Sequence, residues 1–176
     1  LTLGSAGNGT NSPLGTIASG TTVNTGAALN LAGFSLSTLE ALTLNGTGIA
    51  SAGALNNTST TLSSSYTGTI TLASASSIVT AAGGMVINTG TITGAGFGLT
   101  LGGTGNGTMQ SLINTGSGTL TKIGAGIWTL SADNEFTGLT TITAGTLRLG
   151  TAGNATNGPL GTVANGVNIT AGALDL

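Results

Sequence analysis

The feature that most limits the possible folds of this chain is an internal repeat of long period. The opening segment, residues 1–20 (LTLGSAGNGTNSPLGTIASG), returns without a gap as residues 147–166 (LRLGTAGNATNGPLGTVANG), at an offset of 146 residues. The sequence therefore predicts one tandem repeat unit at residues 1–146 and the start of the next unit at residues 147–176, with no independent second domain. Such units predict an array in a longer protein, because each unit continues into its successor.

Within the unit, short segments alternate aliphatic residues with threonine or serine. Clear examples are residues 69–72 (TITL), 99–101 (LTL) and 128–130 (WTL). Alternation with a period of two predicts strands that are buried on one face. Helices are disfavoured because the chain contains 33 glycines, many β-branched residues and few of the charged residues that favour helix. We therefore expect an all-β chain.

The spacing of the strands narrows the architecture. A parallel β-solenoid, or β-helix, with about six coils per unit is predicted, and residues 1–30 and 147–176 are expected to be copies translated along one axis. A closed barrel or a sandwich would not explain a repeat that can continue indefinitely. The aliphatic strand centres behind this prediction recur every 21 to 28 residues, at Val23, Leu44, Ile70, Ile92, Leu120, Ile142 and Ile169.

Composition excludes most kinds of chemistry. Only 3% of the residues are charged, with two Lys or Arg, four Asp or Glu, no His and no Cys. Two basic residues cannot neutralise a nucleic acid, and the missing His and Cys remove the usual acid–base, nucleophilic and metal-binding groups. No apolar stretch approaches the ~20 residues of a membrane-spanning helix. We therefore expect no enzyme activity, cofactor, metal site, nucleic-acid partner or membrane span in this stretch.

A resemblance to a known family rests on residues 120–150, LTKIGAGIWTLSADNEFTGLTTITAGTLRLG. This segment resembles the passenger-associated transport repeat, also called the autotransporter-associated β-strand repeat, of bacterial secreted and surface proteins. The resemblance implies a single-stranded, right-handed parallel β-helix stalk that is exported through the bacterial outer membrane. Besides Lys122, the positions that carry the motif are Leu120, Gly124, Gly126, Trp128, Leu130, Asn134, Phe136, Gly138, Gly145, Leu147 and Leu149.

The acidic residues offer one candidate site. Asp133 and Glu135 would share one face of a strand, as the paired carboxylates of a polysaccharide-cleaving β-helix enzyme do. A solvated turn is the favoured interpretation and needs no chemistry, and weak cation binding is a third interpretation. Glu40 and Asp175 lie far away in sequence and could join such a pair only through the stacking of coils.

The two cations and the outward threonines have structural explanations as well. Lys122 follows Leu120 by two residues, so it would face the core in a continuing strand. We expect instead that the strand bends at Thr121 or that the lysine stem lies along the surface with the amine in water. Arg148 is expected to point outward and to aid solubility. The threonine pairs resemble an ice-binding grid, but their uneven spacing predicts that they do not align on one flat face; they are Thr69/Thr71, Thr91/Thr93, Thr119/Thr121 and Thr141/Thr143.

Together with the family resemblance, which implies a bacterial surface or secreted protein, the repeat predicts an extracellular rod or fibre segment of a tandem-repeat protein. Its role would be length, stiffness and self-association, with neighbouring repeats end to end and further copies side by side as partners. The alternative is an adhesin, or a module that binds cell surfaces or glycans, in which an exposed aromatic such as Tyr66 contacts sugar. A polysaccharide-cleaving enzyme and an ice-binding solenoid are two further hypotheses.

Overall fold

A computed structural model describes residues 1–8, 11–88, 90–163 and 166–176 of the chain. These residues form short strands and one 3₁₀ turn at Ile49–Ser51, and none of their helical structure is long and apolar enough to cross a membrane. In chain order the strands are β1 (Asn11–Ser12), β2 (Gly15–Thr16), β3 (Thr21–Val23), β4 (Leu29–Asn30), β5 (Leu42–Gly46), β6 (Leu55–Asn57), β7 (Ser64–Tyr66), β8 (Ile70–Thr80), β9 (Met85–Ile87), β10 (Thr91–Gly94), β11 (Leu99–Gly103), β12 (Gly107–Met109), β13 (Leu112–Asn114), β14 (Leu120–Lys122), β15 (Ile127–Leu130), β16 (Thr140–Ile142), β17 (Thr146–Leu149), β18 (Asn157–Gly158), β19 (Gly161–Thr162), β20 (Val167–Ile169) and β21 (Ala173–Asp175).

The strands stack in three columns, which each coil of the chain visits in the order 1, 2, 3. Column 1 contains β3, β5, the first part of β8, β10 and β13. Column 2 contains β4, β6, the second part of β8, β11, β14, β16 and β20. Column 3 contains β7, β9, β12, β15, β17 and β21. Every pairing within a column is parallel, so the prediction of an all-β parallel solenoid of about six turns is confirmed.

Two antiparallel hairpins interrupt the parallel stacking. Hairpin 1 is formed by β1 and β2, and hairpin 2 by β18 and β19. Their strands lie 146 residues apart in sequence, so the repeated segments fold into the same local structure. Each hairpin lengthens its coil beyond the usual 21 or so residues, which explains part of the uneven spacing of the strands.

Side chains that point inward stack in rows along the axis and form one continuous apolar core. In column 2 the paired strands place Leu55, Ile78, Leu101, Lys122 and Ile142 in one such row, each in register with the next. All five are at most 1% exposed. Because aliphatic side chains of similar size repeat along the axis, each coil covers the core of the coil below it.

The single tryptophan occupies space that a glycine leaves free in the neighbouring coil. Gly107 pairs with Trp128 in column 3, and a Cβ on Gly107 would lie 2.5 Å from the indole ring. The indole Nε1 donates a hydrogen bond to the carbonyl of Gly102 at 3.1 Å, so the fully buried ring keeps no unpaired polar group.

The structure corrects two details of the predicted spacing. Ile92 pairs with Ile113 in column 1, whereas Leu120 begins the column 2 strand that follows, so the 28-residue interval joined centres from different columns. The expected pure translation of the two copies is also wrong. Residues 21–23 lie in column 1, but the equivalent residues 167–169 lie in column 2.

We predict that Gly107→Ala lowers the free energy of unfolding by about 1–3 kcal/mol, because the added methyl group overpacks the core against Trp128. Urea unfolding followed by circular dichroism measures this change. Gly4→Ala is the matched control, since nothing lies within 4 Å of a Cβ at Gly4. If overpacking is the cause, the double variant Gly107→Ala, Trp128→Leu loses less stability than the sum of the losses in the two single variants. Strictly additive losses would contradict this explanation.

Candidate functional site

The predicted repeat motif spans β14 to β17, and its large side chains form the core of these coils. Leu120, Trp128, Leu130, Phe136 and Leu147 are at most 1% exposed, and Leu149 is half-buried. These residues come from all three columns. The aliphatic and aromatic positions of the motif therefore hold successive coils against one another.

The motif glycines lie where the backbones of neighbouring coils approach closely. A Cβ on Gly126 would lie 1.9 Å from the carbonyl oxygen of Gly105, and one on Gly138 would lie 2.3 Å from that of Gly118. Gly124 and Gly145 have φ angles of +69° and +66°, a region that side chains disfavour. The fixed glycine spacing of the motif thus reflects contacts between backbones of adjacent coils.

Asn134 joins three successive coils through its buried side chain. Its Oδ1 accepts a hydrogen bond from the N–H of Ile113 in the preceding coil at 2.8 Å, and its Nδ2 donates to the carbonyl of Pro159 in hairpin 2 at 2.6 Å. Its own N–H donates to the carbonyl of Gly158 at 2.9 Å. Asn134 therefore continues the backbone ladder with an amide side chain at the point where the hairpin interrupts it.

The expectation for Lys122 is wrong. Lys122 points inward between Leu101 and Ile142 and is fully buried. Its Nζ donates to the carbonyl oxygens of Ile123 and Gly124 at 2.7 Å each and to that of Ala144 at 3.1 Å. Burial lowers the pKa of the ammonium group to about 8. The strand stays straight at Lys122 because the long stem fills the aliphatic row and the corner supplies three carbonyl acceptors.

Glu40 is a buried carboxylate that the sequence did not single out as a structural residue. It is 1% exposed, and its Oε2 accepts a hydrogen bond from the hydroxyl of Ser12 in hairpin 1. Its Oε1 accepts from the hydroxyl of Thr21 at 2.5 Å, and its backbone carbonyl accepts from the phenol of Tyr66 at 2.5 Å. Glu40 therefore fastens hairpin 1 to the first coils with hydroxyl donors alone.

A comparison of the two sequence copies offers a signal for this cluster. Ser12 and Thr21 correspond to Gly158 and Val167 in the second copy, so both hydroxyl donors are absent there. In the first copy both hydroxyls donate to the same acceptor, the Glu40 carboxylate. No spacing rule marks Glu40 itself, which stands between Leu39 and Ala41.

The carboxylates of Asp133 and Glu135 accept hydrogen bonds from asparagine side chains in two different coils. Asp133 Oδ2 accepts from Nδ2 of Asn154 at 2.9 Å, and Glu135 Oε2 accepts from Nδ2 of Asn114 at 2.7 Å. Asn114 belongs to the preceding coil and Asn154 to the following one. In the described part of the chain, no group of three or more metal-binding side chains comes together. The two acids thus act as links between coils, and nothing in their contacts favours the catalytic interpretation.

Arg148 is exposed as expected, and its partner is Asp175. The two residues are in register in β17 and β21, and Arg148 Nε lies 2.6 Å from Asp175 Oδ2. Both side chains are nearly half exposed, at 48% and 46%, so the pair contributes at most about 1 kcal/mol to stability. Its main effect is to place opposite charges next to each other along the stack, where like charges would repel.

The aromatic residues do not form a sugar-binding surface. Tyr66, Trp128 and Phe136 are fully buried, and Phe34 and Phe97 are half-buried against the core. The expectation that Tyr66 is exposed and can contact sugar is therefore wrong, because its side chain is fully buried. Burial, reinforced by the nearby Glu40 charge, also raises the pKa of its phenol.

The threonine pairs divide between two columns. Thr71 and Thr93 are neighbours in column 1, with their hydroxyl oxygens 3.4 Å apart, whereas Thr121 and Thr141 are neighbours in column 2. The pairs therefore do not form one grid. Column 1 nevertheless carries a continuous outward row of neutral side chains, Thr22, Thr43, Thr71, Thr93 and Asn114.

Comparison with known families identifies the motif. Residues 120–149 match the family model of the passenger-associated-transport-repeat, which confirms the resemblance predicted from the sequence. No curated protein and no solved structure matches the chain. Between β14 and β17 the β-solenoid thus contains a segment similar to the passenger-associated-transport-repeat.

We predict that Asn134→Leu lowers the free energy of unfolding by at least about 2 kcal/mol, because it leaves the N–H of Ile113 and the carbonyl of Pro159 buried without partners. Asn114→Leu makes the same chemical change at an exposed amide in the neighbouring coil and is expected to cost about 0.5 kcal/mol or less. Urea unfolding of both variants tests the difference. Equal losses would show that the bridge through Asn134 is not a major contact.

The lowered pKa of the buried Lys122 ammonium group predicts that the stability of the fold rises with pH. Its pKa is about 8 when folded, against 10.5 when unfolded, so between these values the unfolded chain binds the extra proton and stability rises with pH. From pH 8 to 9.5 we expect a gain of about 1.5 kcal/mol, measured by urea unfolding at each pH. Above pH 10 the raised pKa of Tyr66 acts in the opposite direction, so the measurement stays below that value. Lys122→Met removes the rise, and a rise that persists in this variant would assign it to another group.

Proposed function

We propose that this chain is a segment of a rod on the surface of a bacterium, exported as part of an autotransporter-type passenger, and that its role is mechanical. Length and stiffness come from coils stacked through parallel backbone hydrogen bonds. Neighbouring repeats continue the stack end to end. The family match supports an exported surface protein, and the long internal repeat supports an array.

The single observation that carries this proposal is that the second copy of the repeat continues the stack of the first. In β20, Val167 and Ile169 lie in parallel register on Thr140 and Ile142 of β16, and β21 lies in the same way on β17. The start of the second unit therefore adds its strands to the columns of the first unit. Each strand of a parallel column offers backbone groups and an inward row to the next coil, so the stack is suited to further units.

The strands of the first coil and of the second copy carry few charges. The first-coil strands β3 and β4 and the second-copy strand β20 contain no ionisable side chain, and Asp175 in β21 is paired with Arg148. Two units can therefore approach along the axis without strong electrostatic repulsion. We infer that successive units associate end to end.

A pair of lysine substitutions tests this association. Ile169→Lys places a charge in the exposed apolar row of β20, and Asn168→Lys places the same charge on the outward face of the same strand. We expect the unmodified chain and Asn168→Lys to form larger species as concentration rises, and Ile169→Lys to remain smaller, measured by sedimentation velocity. Electron microscopy of the larger species should show thin rods. Equal association of both variants, or particles without rod shape, would contradict the proposal.

A further inference from the structure

The two copies of the repeat make the same local contacts. Thr2 pairs with Asn30 in column 2, and the equivalent residues Arg148 and Asp175 pair with each other in column 3. A neutral pair in one copy has thus become an ion pair in the other, and both members have changed together. The repeated segments are therefore equivalent in fold as well as in sequence.

The copies nevertheless differ in where they lie around the axis. Residues 1–3 adjoin β4 in column 2, whereas the equivalent residues 147–149 lie in column 3. The equivalent strands β3 and β20 lie in columns 1 and 2, and the equivalent strands β4 and β21 lie in columns 2 and 3. Each comparison gives the same displacement of one column.

The hairpins follow the same displacement. Hairpin 1 lies between residues 1–3 in column 2 and β3 in column 1, so it occupies the place of a column 3 strand. Hairpin 2 is hydrogen-bonded through Thr162 and Gly158 to Phe136 and Asn134, which stack above β13, so it occupies a column 1 place. The second hairpin is thus one column further around the solenoid.

The number of coils in a unit follows from the strand order. β20 lies six strands beyond β4 in column 2, and β4 is the column 2 strand that directly follows β3. The step from β3 to β20 is therefore six coils and one column. With three columns in a coil, a unit makes six and one third turns, and three units return to the starting column after 19 turns.

We infer that a tandem array presents its hairpins on successive columns, so that equivalent hairpins face three directions around the rod. This inference rests on the proposed array of units. With coils ~4.8 Å apart, successive hairpins are about 30 Å apart along the axis, and hairpins in the same column are about 90 Å apart. Each described hairpin carries an exposed aliphatic side chain at the same position, Ile17 at 49% and Val163 at 72%. A partner that recognises the hairpin meets it on three sides of the rod.

Pairs of cysteines test the displacement in the chain itself, which contains no other cysteine. Asn168 is in register with Thr141 in column 2, so Thr141→Cys with Asn168→Cys should form a disulfide on mild oxidation. If the copies were purely translated, Asn168 would lie in column 1 above Glu135, and Glu135→Cys with Asn168→Cys would form the bond instead. Thr71→Cys with Thr93→Cys, neighbours in column 1, is the positive control.

We expect a disulfide in the first pair and in the control but not in the second pair. Cross-linking of the second pair, or of the control alone, would overturn the inference. These outcomes do not depend on end-to-end association, so the lysine variants and the cysteine variants can fail separately.

A protein of three units carrying Ala6→Cys in each, labelled with biotin and streptavidin, extends the test to an array. Electron micrographs should show labels on different sides of each rod, and labels in a single line would overturn the inference.

Discussion

The parallel hydrogen-bond ladder between successive coils is the interaction on which the rest of this structure depends. Each strand in a column bonds to the strands above and below it, and the register is maintained from one coil to the next. Side chains of successive coils are therefore stacked in rows with a spacing of about 4.8 Å. At this spacing a row of like charges would repel itself, which explains why the outward rows consist of Thr, Ser and Asn and why Arg148 stands beside Asp175.

Three of the buried polar residues, Asn134, Glu40 and Lys122, lie where this ladder is interrupted or turns a corner. Asn134 and Glu40 fasten the two hairpins, in which antiparallel pairing replaces the parallel strands. Lys122 binds the carbonyls of a corner between columns 2 and 3. Buried backbone groups require partners, so a side chain supplies them wherever a neighbouring coil does not. These three polar residues are thus consequences of interruptions and corners in the stack.

Sequence patterns predicted the architecture well but not the place of each residue in it. Period-two alternation and the long repeat indicate stacked short strands, because both are local properties of the chain. The assignment of Ile92 and Leu120 to one column was wrong, since two columns use the same aliphatic residues and their spacing overlaps. Lys122 was wrongly placed at the surface because no sequence rule shows that three carbonyls meet at its amine. Tyr66 and Glu40 contact each other across 26 residues, a contact that no local pattern contains.

The sequence by itself determined that this chain is an all-β solenoid built from a repeating unit with a recognisable passenger-associated motif. It did so because alternation, glycine spacing and self-similarity are written along the chain. Only the tertiary structure decided how many turns the unit makes and which column each strand joins. The number of turns and the column of each strand depend on how many residues the corners and hairpins contain. A hairpin can also occupy the place of a strand in any column. The displacement of one column between the copies is therefore a property of the folded coil, although the repeated residues are nearly the same.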